Sequence, residues 1–173
     1  MIWISLLILF VSCNSIDDVS VDIQGIDDFN DNVIKNPYIV ISRKDIPSVK
    51  ATSRILIKNE QANAILRGSV KANFFNDEGI HISQLVSDSA HIDNRTNNLH
   101  AYGNVRVVSE DSVKLFSNSI LWDNHYKLIT SHDSVMFTTS NNDTMYGVGF
   151  ESDMDLTKWK IKKPRGSKGN KKQ

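Results

Sequence analysis

Two stretches of this chain, LHAYGNVRV from Leu99 and ITSHDSVMF from Ile129, superimpose at an offset of 30 residues without a gap. In each, a large aliphatic residue is followed two positions on by a small one, Ala101 or Ser131. Apolar residues come six and eight positions on, Val105 and Val107 in one, Val135 and Phe137 in the other. The match extends outward, from Leu85 to Leu115, Ser87 to Ser117, Ala90 to Ile120, Ile92 to Trp122 and Asp93 to Asp123. A third copy, LRGSVKANF from Leu66, is laid over these with Gly68 in the small-residue place and Ala72 and Phe74 in the apolar ones. Repetition at this length is what stacked strand units produce, and it constrains the fold more than any single residue does.

Within each copy the apolar residues recur at every second position, and no window repeats at helical spacing, so the chain reads as all-β. Polar turn sequences follow the copies: NDEG at 76–79, SEDS at 109–112 and NND at 141–143. Each unit is therefore a strand, a turn and a returning strand. The same alternation bears on Ser131, His132 and Asp133, the three residue types of a hydrolase triad. Neighbouring strand residues point to opposite faces, whereas a triad needs its histidine within reach of both partners. Ser131 also fills the small-residue place of the repeat, so this stretch reads as a strand and not as an active site.

With 173 residues, 40% of them hydrophobic, the chain has apolar material for one core. Lys+Arg and Asp+Glu number 20 each, yet eight of the basic residues lie from Lys158 onward, where there is no acidic one. The body is left with twelve positive charges against twenty negative. The uncharged run MIWISLLILFVS ends at Cys13, the only cysteine. It is too short to span a bilayer, which takes roughly 20 residues. It reads as a signal segment over 1–12, and FVSC at 10–13 resembles a bacterial lipobox in which Cys13 carries the lipid. The alternative is a buried apolar strand with an incidental cysteine. Residues 13–37, rich in Asp and Asn, read as an extended tether. The folded domain is expected over 38–161, and 162–173 as a basic disordered tail, either solvated or drawn to anionic groups.

Other chemical signals are weak. There is no G-x-S-x-G, no H-E-x-x-H and no glycine-rich phosphate loop before a helix. The five histidines follow no recurrent ligand spacing. Basic residues are not interleaved with aromatics on the domain, which speaks against nucleic acid. The expectation is a protein that is not an enzyme and holds no cofactor or metal.

The stretch from VKANFFNDEG (70–79), through LVSDSAHIDNRTNNLHAYGNVRVVSEDSVKLFSNSILWDNHYKLITSHDSV (85–135), to GVGFESDMDL (147–156) resembles the LptC family. Its members are the membrane-anchored component of the lipopolysaccharide export bridge, related to OstA-like proteins. The resemblance implies a β-jellyroll of antiparallel strands, open and slightly twisted, with an apolar interior. It implies a lipid groove walled by Val70, Phe74, Leu99, Val105, Val107, Leu115, Ile129, Val135 and Phe137; the alternative is that the same positions simply form a closed core. The implied partners are lipopolysaccharide, inner-membrane ABC transporter subunits and a periplasmic OstA-like bridge protein, with the lipid on Cys13 holding the chain at the periplasmic face of the inner membrane. Partners are expected to join by strand addition, the downstream one where Gly147, Gly149 and Phe150 offer unpaired backbone. Other readings are an outer-membrane OstA-like lipoprotein, or a structural β-repeat lipoprotein without lipid cargo.

Overall fold

The computed structural model describes residues 31–59 and 64–168. Cys13, the signal segment and most of the tether lie outside the described residues. Among those described there are eleven strands and no helix: β1 (Asp31–Lys35), β2 (Tyr38–Arg43), β3 (Ile46–Thr52), β4 (Ile55–Asn59), β5 (Ala64–Phe75), β6 (His81–Ile92), β7 (Leu99–Ser109), β8 (Lys114–Asp123), β9 (Leu128–Thr138), β10 (Thr144–Asp153) and β11 (Trp159–Lys168). They form one antiparallel sheet in the order β1-β4-β5-β6-β7-β8-β9-β10-β11, with β3 also on the free edge of β5 and β2 on β3. The all-β expectation holds, and it holds for the reason given: alternate residues of β5 and β7 are buried.

The long strands are not straight. β5, β7 and β9 each carry an extra residue near the middle, visible as register shifts at Arg67/Val70, Tyr102/Val105 and Ser117/Leu121. At the first two, Gly68–Ser69 and Asn104 with Gly103 take positive φ. These bulges lie side by side and continue into the corner between β3 and β4, where the Arg54 N–H donates to the Gly68 carbonyl at 2.9 Å. From there they reach the corner between β1 and β2, where Asn36 N–H donates to the Arg54 carbonyl at 2.9 Å. A crease thus crosses the sheet, since bulges bend and twist the strands that contain them.

The crease folds the sheet onto itself. Ala64, Ile92, Leu99 and Trp122 occupy one cross-strand row, and Phe74 stands ten residues further along β5. On a flat sheet that separation alone is roughly 30 Å. Yet the Phe74 and Trp122 rings are 5.4 Å apart. Two leaves therefore face each other across one core, in which Trp122, Phe74, Phe137 and Phe150 are fully buried. The segment after β10 closes one end: Met154 and Leu156 are buried. The Met154 carbonyl accepts from Ser83 Oγ at 2.6 Å, and its Sδ accepts from Trp122 Nε1 at 2.9 Å.

Turns reinforce the repeat. Asp93, Asp123 and Asp153, each 30 residues from the next, accept backbone N–H groups of the turns that follow them. At the opposite ends Asn76, Ser109 and Thr139 open turns of one geometry, closed by Ile80, Val113 and Asp143 carbonyls at 2.9–3.0 Å.

Three expectations are corrected. The first copy of the repeat is shifted by two residues: Val70 shares a cross-strand row with Ser87, and Ala72 with Leu85 and Val107. The bulge fixes this register, matching Gly68–Ser69 to Gly103–Asn104 at an offset of 35. The tether does not run to residue 37, because β1 pairs with β4 from Asp31. Nor does the fold end at Ile161, because β11 pairs with β10 as far as Lys168. Backbone pairing needs no apolar side chains, so a lysine-rich strand continues the sheet.

Candidate functional site: an apolar interior with one open margin

The nine expected wall residues all lie in the core between the leaves. Val70, Phe74, Leu99, Val107, Leu115, Ile129 and Phe137 have no exposure, and Val105 and Val135 have 1% and 4%. Each comes from an inward position of a long strand, which is why period-two alternation found it. In this state the leaves touch and the aromatic side chains fill the space between them.

An opening between the leaves lies at the N-terminal margin. Here β1 and β4 belong to one leaf and β2 to the other, and the two separate around a cleft of about 410 Å³. Five core residues keep 5–8% exposure, and four of them, Ile41, Leu56, Ala64 and Ile92, line this cleft; the fifth is Met154. Ile34 and Val40 flank it and are themselves exposed. Most of its lining is aliphatic, joined by Ser42, Lys58, Asn94 and Asn97. Little in the sequence pattern marks this mouth. Among the described residues β1 pairs on one side only, and it exposes Val33 and Ile34, so its apolar residues do not alternate with burial.

Elsewhere the leaves are joined by contacts at two separate places. Trp159 packs its ring 4.6 Å from Phe137. Lys127 Nζ, beyond the end of β8, donates to Ser48 Oγ of the other leaf at 2.9 Å. Burial lowers the pKa of this ammonium, Asp77 opposes that, and Arg43 adds to it.

The C-terminal edge differs from expectation. Gly147, Gly149 and Phe150 do not offer unpaired backbone, because β10 is bonded to β9 on one side and to β11 on the other. Phe150 is fully buried. The glycines admit a close approach, as their residue type implied, but the approaching chain is β11 of the same molecule. Among the described residues the free edge on this side is β11 itself.

Ser131, His132 and Asp133 stand at the bulge of β9. Ser131 is buried and shares a hydrogen bond with Ser117 Oγ at 2.9 Å. Asp133 accepts from Ser119 Oγ at 2.6 Å and its N–H donates to Ser131 Oγ at 3.1 Å, while His132 is exposed. Among the described residues no three His, Cys, Asp or Glu side chains gather as a metal site.

A single antiparallel sheet folded over one apolar interior, with free edges, defines a β-jellyroll-like domain of the OstA type. A family model described as OstA-like protein matches residues 49–157. That is more than half of the chain, which belongs to the OstA-like family. No curated protein matches it.

Proposed function

We propose that this chain is a non-catalytic lipid conduit of the LptC kind, accepting lipopolysaccharide from an inner-membrane ABC transporter and passing it to a periplasmic OstA-like partner. Family membership supports the coarser part of this, a role in lipopolysaccharide or lipid transport. The observation that carries it is the mouth: an aliphatic cleft whose floor is the margin of a continuous apolar interior. Acyl chains entering there would separate the leaves and replace their mutual contacts. Each CH₂ removed from water contributes about 0.8 kcal/mol, so several chains offset the exposure of core that opening costs. Cys13 would hold the mouth near the membrane. ATP is hydrolysed in the transporter, and the conduit supplies only an apolar path.

The filled interior favours a second reading, a structural β-repeat lipoprotein with no cargo. Photo-crosslinking in cells separates the two. A crosslinking residue at Val105, Val107, Val135 or Phe137 captures lipopolysaccharide if the interior carries it, and one at Arg106 or Met136 on the outer face does not. Capture on neither face, or equally on both, leaves the structural reading.

A further inference from the structure

Building on the conduit reading, we propose that β11 is a charge-selective docking edge, and that the segment it accepts as an added strand is acidic. β11 has one strand partner, β10, among the described residues, so its other side presents unpaired backbone groups. Such an edge invites any extended chain unless it is guarded. This one is guarded three ways. Lys158 just before it, and Lys160, Lys162, Lys163 and Arg165 within it, are all exposed. None of the five is ion-paired among the described residues. Pro164 has no N–H to give, and prolines in sheets turn that side to solvent. Finally, an extra residue shifts the register against β10 between Tyr146 and Gly147, which twists the edge away from a straight partner.

Lysines and a proline repel neutral and basic strands, which is ordinary protection. They do not repel an acidic one. A strand carrying Asp or Glu at alternate positions would pair with the backbone of Trp159–Lys163 ahead of the proline and place its carboxylates beside Lys160 and Lys162. Opposite charges on neighbouring strands attract, and like charges repel. The guard then works as a filter, and the partner class it fits is an extended acidic segment of another protein.

The test uses the full chain and two peptides, one alternating threonine with aspartate and one alternating threonine with asparagine. The acidic peptide should bind, slow amide hydrogen exchange within 159–163, and weaken as salt is raised. The asparagine peptide should bind at least about tenfold more weakly. The triple variant Lys160→Gln, Lys162→Gln, Lys163→Gln, altered only at exposed positions, should lose the difference between the two. Equal affinity for both peptides, with the same amides protected, overturns charge selection and leaves strand addition standing. Binding of the acidic peptide without amide protection overturns the added strand. Lysine-dependent binding of phosphatidylglycerol vesicles, with neither peptide bound, also overturns the proposal, because the lysines then serve a lipid surface. No lipid capture is read here, so failure of the conduit reading would show separately, in the crosslinking at Val105.

Discussion

Gly147 and Ile161 share a space that holds only one side chain. A Cβ on Gly147 would stand 2.2 Å from Ile161 Cγ2 and 2.7 Å from the Lys163 carbonyl oxygen. The isoleucine methyl could move, but the carbonyl belongs to a paired strand. Gly147→Ala should therefore cost about 2 kcal/mol or more, the range of overpacked cores. Chemical denaturation measures it, and hydrogen exchange should show β11 loosening first. Adding Ile161→Ala should recover only part of the loss, because the clash with the backbone remains. Full recovery would mean that the side chain alone sets the limit.

How much of this was legible follows from the kind of contact involved. Alternation exposed the inward residues Leu99, Val105, Val107 and Phe137, because a strand's faces repeat every two residues whatever surrounds it. The 30-residue offset was legible for the same reason, and Asp93 and Asp123 marked its turns. The crease was not legible: the Phe74–Trp122 contact joins distant strands and leaves no local pattern. Misplacing the first copy by two residues came from matching aliphatic residues, Leu66 with Leu99, when the bulge at Gly68–Ser69 sets the register. From sequence, residues 162–173 read as a tail because Lys162 and Lys163 bury nothing. The backbone of β11 pairs nonetheless, and this moved the partner edge from β10 to β11.

The three similar turns invite a comparison at one position. Gly79, Ser112 and Asn142 take φ of 78°, 65° and 65°, and each donates its N–H back to the residue opening its turn, at 2.9–3.0 Å. Glycine and asparagine tolerate this left-handed conformation, while for other residues it costs roughly 1–2 kcal/mol. Ser112→Gly relieves that strain but gives the unfolded chain more freedom, worth about 0.4–1 kcal/mol. The net expectation is a gain of up to about 1 kcal/mol in thermal or denaturant unfolding. A loss would show that the serine makes a contact worth more than the strain.

Acid should loosen the Asp-capped turns. Burial raises the pKa of Asp153, but hydrogen bonds, from the Lys158 N–H first and then from Asp155, Thr157 and Ser152, outweigh it and bring the carboxyl below its ordinary 3.8. Asp93 is lowered too, by the Thr96 N–H and then the Arg95 N–H. A folded-state pKa below the unfolded one stabilises above the unfolded value, and that stability is lost as pH falls through the folded value. The native chain should thus lose stability as pH falls below the ordinary carboxylate value of 3.8 and through the lower folded values. Asp153→Asn keeps an acceptor oxygen for the turn and removes the titration, so its melting temperature should fall less over that window. An identical acid limb in both proteins would place the pH dependence elsewhere.

The mouth can be plugged without disturbing the core behind it. Ala64 keeps 8% exposure and lines the cleft of about 410 Å³ between the leaves, so a larger side chain there has somewhere to go. With the cleft to take its ring, Ala64→Phe should cost less than overpacking a closed core does, about 1–3 kcal/mol. Ala101→Phe, at a position with no exposure, should be far more damaging. If lipid enters between β2 and β4, the Ala64→Phe chain should be folded and yet capture several-fold less lipopolysaccharide through a crosslinker at Val105. The phenylalanine ring would occupy the approach to Ile41 and Leu56 without touching the crosslinking position. Retained stability with undiminished capture would show that lipid reaches the interior by another margin. The candidate left would then be the join between the leaves where Lys127 bonds Ser48, and Lys127→Ala would be the variant to measure next, with increased capture as its expected result.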